Sequence, residues 1–523
     1  MPLNRLVFSV LGSLGVYALY KILKLIQQEY TSDVRLLPGP KSTHWLFGNL
    51  KEIFNSESNV LQEQWIQQYG STIKYKVFLW ETRLYTTDAT AINHFLTNAQ
   101  IYQKPESARY TLARMLGQGV LVAEGEHHRQ QRRVMNPAFG AAQIRELTEI
   151  FVAKSTELRD IWALQVANAG GAARIDVLAW LSFNYNFSNL SSEGTSELGQ
   201  AFAEVFRTGT TFDFISALKT WIPAFRFIPT RFDTNMASSR ATMMRIGRQL
   251  LEDSRKEMAE SGTFEKGRSR DLLSLLVRSN TAKDIPANQR LSDEDVLAQV
   301  PTFLVAGHET TSTATTWALF ALAQDLRVQT RLREELLTVS TDNPTMDELN
   351  ELSYLDCVVR ETLRVHSPVT STLRVAIEDD VVPLATAFRD VHGVLHDTIR
   401  IRKGQTVMIP VLAMNRDKTV WGPDSFEFSP ERWESNKISN SIPGVWSHML
   451  TFLGGPRACI GYRFSIVEMK ALLFTLVRSF EFELAVPASE IQKKTSIVQR
   501  PLVKSEPEAG NQLPLIIKPY VHS

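Results

Sequence analysis

The stretch Phe452 to Gly461, FLGGPRACIG, constrains this chain more than any other, because it sets a cysteine in a glycine-rich turn directly before a long apolar segment of helical periodicity. The dipole and free N–H groups of a helix N-terminus favour a thiolate there, and the thiolate is the form of cysteine that binds metal. Cys459 occupies that place. Gly454, Gly455 and Gly461 remove side chains where a flat cofactor would approach the backbone, and Arg457 offers a fixed cation two residues before the sulfur. A cysteine in a turn is ordinarily a small buried hydrophobe; the glycines and the arginine argue for a ligand instead.

From Leu291 the text LSDEDVLAQVPTFLVAGHETTSTATTWALFALA predicts a helix of about nine turns, with Ser292 as N-cap, Asp293 to Asp295 at the positive end of the dipole, and a kink near Pro301. Gly307, His308, Glu309, Thr310 and Thr311 then interrupt an apolar helix with groups that cost stability unless something needs them. Ala306, Gly307 and Thr310 share one face. The competing reading is that the threonines back-bond to the carbonyl four residues earlier. Further on, Glu361 and Arg364 of ETLR stand three apart, which alone reads as a surface ion pair.

The spacing of Phe452, Gly455, Arg457, Cys459 and Gly461 resembles the haem-binding loop of the cytochrome P450 family, FxxGxRxCxG. Ala306 to Thr311 is similar to that family's oxygen-activating motif, and ETLR with Pro430–Trp433 (PERW) to its structural motifs. The resemblance implies haem b, iron protoporphyrin IX, with Cys459 as its axial thiolate and metal ligand and Phe452 beside the sulfur. It makes Thr310 and Glu309 catalytic, the first bonding activated oxygen and the second bringing protons from water, with room left by Gly307. Arg457, Arg132, His128 and Arg374 would hold the haem propionates, although His128 of GEHHRQQRRVMNPAF stands where many members carry Trp. Glu361, Arg364 and Arg432 would form a buried network beneath the loop.

The expected fold is mainly α with a minor β region, the cytochrome P450 fold, preceded by an N-terminal transmembrane helix. Residues 1–28 read as a membrane anchor, 29–45 as a proline-rich hinge around Leu37–Pro40, and 46–523 as the haem-thiolate catalytic domain. The apolar run is Leu6 to Tyr20, extended to Ile26 by lysines that snorkel; a cleaved signal peptide is the competing reading. Lys21, Lys24 and Arg35 on its C-terminal flank put the catalytic domain on the cytosolic side of the endoplasmic reticulum membrane. Lys plus Arg 57 against Asp plus Glu 56 leaves no field for a polyanion, so no nucleic-acid partner is expected, and two cysteines exclude a disulfide framework. Strands are expected near Ile73–Phe78, Thr82–Tyr85, Thr372–Ala376 and Gln405–Pro410. One departure from the family is Asp176–Asn189, where a helix looks about three turns short.

The resemblance implies a monooxygenase that takes electrons from NADPH–cytochrome P450 reductase, since no flavin or nicotinamide fingerprint occurs in the chain. The reductase would dock near Arg463. Pocket residues by analogy are Tyr110, Leu116, Phe212, Phe214, Phe303, Leu304, Val369–Leu373, Ile497 and Val498, mostly apolar, so a lipophilic small molecule is expected. The texture resembles fungal, basidiomycete-like members of secondary metabolism, and a diterpene or sesquiterpene is the favoured substrate. A fatty-acid or xenobiotic hydroxylase and a reductase-independent haem-thiolate isomerase or dehydratase are the alternatives.

Overall fold

The computed structural model describes residues 29–181, 214–261, 290–435, 442–495 and 497–521, with a few isolated positions besides. Helices dominate: α1 (Val60–Tyr69), α2 (Ala89–Thr97), α3 (Glu106–Leu116), α4 (Gly125–Met135), α5 (Ala141–Asn168), α6 (Arg231–Ser261), α7 (Asp293–Phe303), α8 (Glu309–Gln324), α9 (Leu326–Leu337), α10 (Ser353–Val365) and α11 (Tyr462–Ser479). Every residue from Thr311 to Leu322 of α8 and from Ile466 to Val477 of α11 is buried. Helices buried on all sides lie in the centre of a core. Here α8, α10 and α11 pack on one another, with α5 and α9 against α11.

Within the described residues the β region is small and divided among four sheets. Strands β1 (Thr72–Lys76), β2 (Thr82–Thr86), β3 (Tyr102–Gln103), β5 (Thr372–Ala376) and β8 (Thr406–Ile409) form one sheet in the order β1-β2-β8-β5-β3, in which only β2 and β8 are parallel. β4 (Ala173–Asp176), β9 (Phe480–Leu484) and β12 (Pro514–Pro519) make a second. β6 (Asp380–Arg389) pairs with β7 (Leu395–Ile401), and β10 (Ile491–Thr495) with β11 (Gln499–Val503). The four strands expected from sequence appear within two residues of their expected ends, because β-branched and aromatic residues dominate them.

The segment around Leu37–Pro40 is docked on the domain. Val34 and Leu37 are fully buried, Lys74 N–H donates to the Pro38 carbonyl at 3.0 Å, and Ser32 Oγ donates to Gln405 at 2.8 Å. A Cβ on Gly39 would stand 2.0 Å from the Lys74 carbonyl oxygen, so only glycine lets the chain lie this close to β1. Among the described residues no helix is long and apolar enough to cross a membrane; the apolar run of residues 6–26 lies almost wholly outside them. Asp176 caps a short helix, Val177–Ala179, and residues 182–189 of the apparently shortened segment also lie outside the description.

Pro301 is where the sequence leads one to expect a kink. It stays within α7, and the departure from α geometry comes later, as a π turn over Leu304–His308 that joins α7 to α8. Ser292 is the N-cap expected, its Oγ accepting from Asp295 N–H at 3.1 Å.

Glu361 and Arg364 are fully buried, contrary to the ordinary reading of such a pair. Arg364 donates from Nε and Nη2 to the two Glu361 oxygens at 2.9 and 2.7 Å, and its other N–H groups reach the carbonyls of Asn415, Ser425 and Glu427. Glu361 also accepts from Ser429 N–H and Trp433 Nε1, both at 2.9 Å, and lies 3.5 Å from Arg432 Nε. Arg432 itself turns mostly to Asp424, at 2.6 Å.

Removing one member of so buried a pair leaves an uncompensated charge. Glu361→Ala is expected to cost about 3–5 kcal/mol in urea denaturation. Asp424→Asn, at the half-exposed end of the same network, should cost under about 1 kcal/mol.

Candidate functional site

The Cys459 loop is shaped by backbone contacts. Gly455 has φ +66°, and a Cβ there would stand 2.3 Å from the Leu96 carbonyl oxygen at the end of α2. One on Gly454 would stand 2.0 Å from the Pro443 carbonyl oxygen. These two glycines therefore serve the seating of the loop on its own protein, a correction to the expectation that they clear space for a cofactor. Gly461 does face a ring, its Cβ position lying 3.6 Å from Phe139. Cys459 N–H closes the loop on the Phe452 carbonyl at 2.8 Å, while the Phe452 ring packs between Trp446 and Tyr462.

Cys459 is exposed, whereas Cys357 is buried. Yet the Cys459 thiol pKa is pushed up, first by burial, with the Gly461 N–H and the Arg132 guanidinium acting the other way. Solvent therefore reaches this wall of the loop, while the protein atoms around it desolvate the thiol. The expected lowering by the helix N-terminus is thus outweighed by desolvation. Cys357 is pushed up to about 11, by burial and then by Asp356, which marks it as inert.

Arg132 reaches this wall directly, donating from Nη1 to the Ala458 carbonyl at 2.6 Å. Arg457 donates to the Ala123 carbonyl at 2.8 Å and is paired with Glu124, a residue sequence reasoning missed. Lys104 lies 4.0 Å from the same carboxylate. Arg374, 3 % exposed, donates to Thr372 Oγ1 and the Leu373 carbonyl, both at 2.8 Å. Burial and this mutual repulsion are large: Lys104 is pushed down to about 7, by burial and then Arg374 and Arg457; His128 to about 3, by burial and then Arg457 and Lys104; Arg374 to about 10, chiefly by burial. The expected residues are together, but His128 is neutral. Arg109, on α3, also acts on Lys104, and its buried Nε has no hydrogen-bond partner.

The long helix meets α11 close by. Thr311 Oγ1 lies 3.0 Å from Ser465 Oγ, in the first turn of α11. Within the π turn nothing lies within 4 Å of a Cβ built on Gly307, so the helix is flanked there by open space. Thr310 Oγ1 donates to the Ala306 carbonyl at 2.7 Å and Thr311 Oγ1 to that of Gly307 at 3.0 Å. The back-bonding considered from sequence is therefore present, and it serves carbonyls of a widened turn, a feature common at functional sites.

Glu309 is 2 % exposed and accepts from Arg500 Nε at 2.5 Å and Thr313 Oγ1 at 3.4 Å. Burial raises its pKa, and Arg500 opposes this. Arg500 was not foreseen, since it sits on β11, 191 residues away. Of the residues expected to line a pocket, Leu116 packs with Met115, Met236, Met243, Ile246 and Val305 in an apolar cluster that reaches the π turn. Phe303 stacks edge-on to Phe139 at 5.7 Å, Val498 is buried and Ile497 exposed. Tyr110 lies under Arg226 at 4.1 Å. Phe212 and the side chains of Phe214 and Leu304 lie outside the described residues.

Comparison with known proteins bears directly on this arrangement. The cytochrome P450 family model matches residues 38–505. Cytochrome P450 monooxygenase 205 of Postia placenta is 54 % identical, covering 98 % of both chains, and monooxygenase 128 of that organism 51 %, covering 98 % of this chain and 97 % of its own. A cytochrome P450 monooxygenase of Ampulloclitocybe clavipes, claW, is 33 % identical over 96 % of this chain and 95 % of its own. The family model over residues 38–505 and these near full-length relatives show that the chain belongs to the cytochrome P450 family of haem-thiolate monooxygenases.

Proposed function

We propose that the Cys459 loop and the π turn of the long helix would hold haem b, with the Cys459 thiolate as its ligand, and that the enzyme hydroxylates a terpenoid. The observation that carries the placement is a surplus of cations. Arg374 is buried, and Lys104, Arg109, Arg132 and Arg457 are half-buried in one cluster with the Glu124 carboxylate, where an orphaned Arg109 nitrogen also stands. Two propionates would supply the missing negative charge, with neutral His128 contributing one hydrogen bond. The open space beside Gly307 suits a flat group.

When bound, the haem supplies the activation of dioxygen and the oxidation of a C–H bond. The protein's own groups hold and protonate. Gly461 N–H and Arg132 favour the Cys459 anion against the pressure of burial. Thr310, on the face of the helix with Gly307, would hold a proton at the hydroxyl that now donates to the Ala306 carbonyl, and Glu309 would supply protons from a site where burial raises its pKa. The Met-rich apolar cluster at the π turn gives an adaptable surface suited to a polycyclic hydrocarbon. The relatives from Postia placenta and Ampulloclitocybe clavipes support the fungal part of this reading. A single-pass anchor at residues 1–28 would hold the catalytic domain on the cytosolic face of the endoplasmic reticulum, with the reductase docking near exposed Arg463.

Incubation with reductase, NADPH and a panel of diterpenes, sesquiterpenes, fatty acids and xenobiotics tests the substrate class; hydroxylation confined to the last two classes would overturn it. Cys459→Ala is expected to lose thiolate-bound haem and all activity, whereas Thr310→Ala keeps haem but diverts NADPH from product to peroxide, read as the ratio of product to NADPH.

The cation cluster has a pH signature in the haem-free chain. Lys104 falls from 10.5 to about 7 on folding, so between those values the unfolded chain binds more protons and stability rises with pH. Lys104→Met is expected to flatten that rise, at most about 1.4 kcal/mol per pH unit, in denaturation curves across this window.

A further inference from the structure

Glu309, Thr313 and Trp317 are four residues apart on one face of α8, the face turned to β11. Arg500 of β11 pairs with Glu309, and Trp317 Nε1 donates to the Gln499 carbonyl at 2.9 Å. Gln499 is fully buried, and neither polar atom of its side chain has a hydrogen-bond partner. The same holds for Glu309 Oε2 and for Nδ1 of His366, whose ring stacks on Trp317 at 5.0 Å. Arg416 donates from Nε to the Val365 carbonyl at 3.0 Å, next to His366, and Lys493 Nζ lies 5.8 Å from the Trp317 ring. Both line a surface groove of about 320 Å³ together with Glu57, Glu63 and Phe426.

A buried polar atom without a partner costs about 1–3 kcal/mol, and four such atoms belong to Glu309, His366 and Gln499, the last two of which both meet Trp317. Internal water is the usual partner of groups like these. We propose that water enters at the Glu63–Arg416–Lys493 groove and runs past His366 and Gln499 to Glu309, so that each proton Glu309 passes inward is replaced from bulk solvent along this route. The groove is suited to the exchange. Burial and then Arg416 push Lys493 down to about 7, so this group at the mouth trades protons near neutrality, and burial pushes Glu63 beside it up from the ordinary carboxylate range.

The inference rests on Glu309 as a proton donor, and the test separates the two. The full chain with its reductase is assayed for NADPH-driven oxygen consumption in H2O and D2O, as wild type, Gln499→Leu, Lys493→Met and Glu309→Gln, each retaining the thiolate carbon-monoxide band. Gln499→Leu and Lys493→Met are expected to slow consumption about five-fold and to enlarge the isotope ratio. If both match wild type while Glu309→Gln is slow, the route is overturned and the role of Glu309 stands; if Glu309→Gln also matches wild type, the reading beneath it falls. Should Gln499→Leu fail to take up haem, a crystal structure of the wild-type enzyme decides. Ordered water bonded to Gln499 and His366 Nδ1 upholds the route, and a dry Gln499 overturns it.

Discussion

Two opposite charges without solvent stand side by side in α10, and the irregular chain around them is folded to keep them satisfied. All five Arg364 N–H donors find acceptors, two on Glu361 and three on the carbonyls of residues 415, 425 and 427. Burial of such a pair is tolerable only on those terms. The effect propagates to the site. Asn415 accepts from Leu450 N–H and donates to Thr451 Oγ1, and the Thr451 hydroxyl donates to the Leu363 carbonyl, each at 2.7 to 2.8 Å. Phe452 comes next, and its carbonyl holds the Cys459 N–H. A continuous set of hydrogen bonds therefore runs from the buried pair to the residue that carries the sulfur.

Around the Cys459 loop the protein gathers cations in excess of acids, with Lys104 pushed to about 7 and Arg374 to about 10, burial being the first cause of each, beside a thiol whose pKa burial raises. A group bearing carboxylates at its edge and a metal cation at its centre answers both, because a coordinated thiol loses its proton outright. His128 is neutral for a related reason: burial first, and then Arg457, Lys104 and Arg132, disfavour a further cation, while a neutral imidazole still donates to a carboxylate.

What was legible in the sequence is what a single element or a short spacing dictates. The Ser292 cap, the four strands, the helix through Thr310 and the loop around Cys459 follow from periodicity and from residues a few positions apart. Partners brought in by tertiary folding were not legible. Glu124 meets Arg457 across 333 residues and Arg500 meets Glu309 across 191, and neither carries a local mark. The π turn escaped because Pro301 drew attention to an earlier point, whereas the widened turn forms where Thr310 and Thr311 hydroxyls serve its carbonyls. Gly454 and Gly455 were recognised as necessary but for the wrong neighbour, since the atoms that exclude a Cβ belong to Pro443 and Leu96.

The most direct measurement is a reduced, carbon-monoxide difference spectrum of microsomes expressing the full chain. A red-shifted thiolate Soret band is the predicted result, since it requires haem, the Cys459 anion and a correctly seated loop together. A blue-shifted band, from haem without its thiolate, or no band from a folded chain, would contradict the assignment of Cys459.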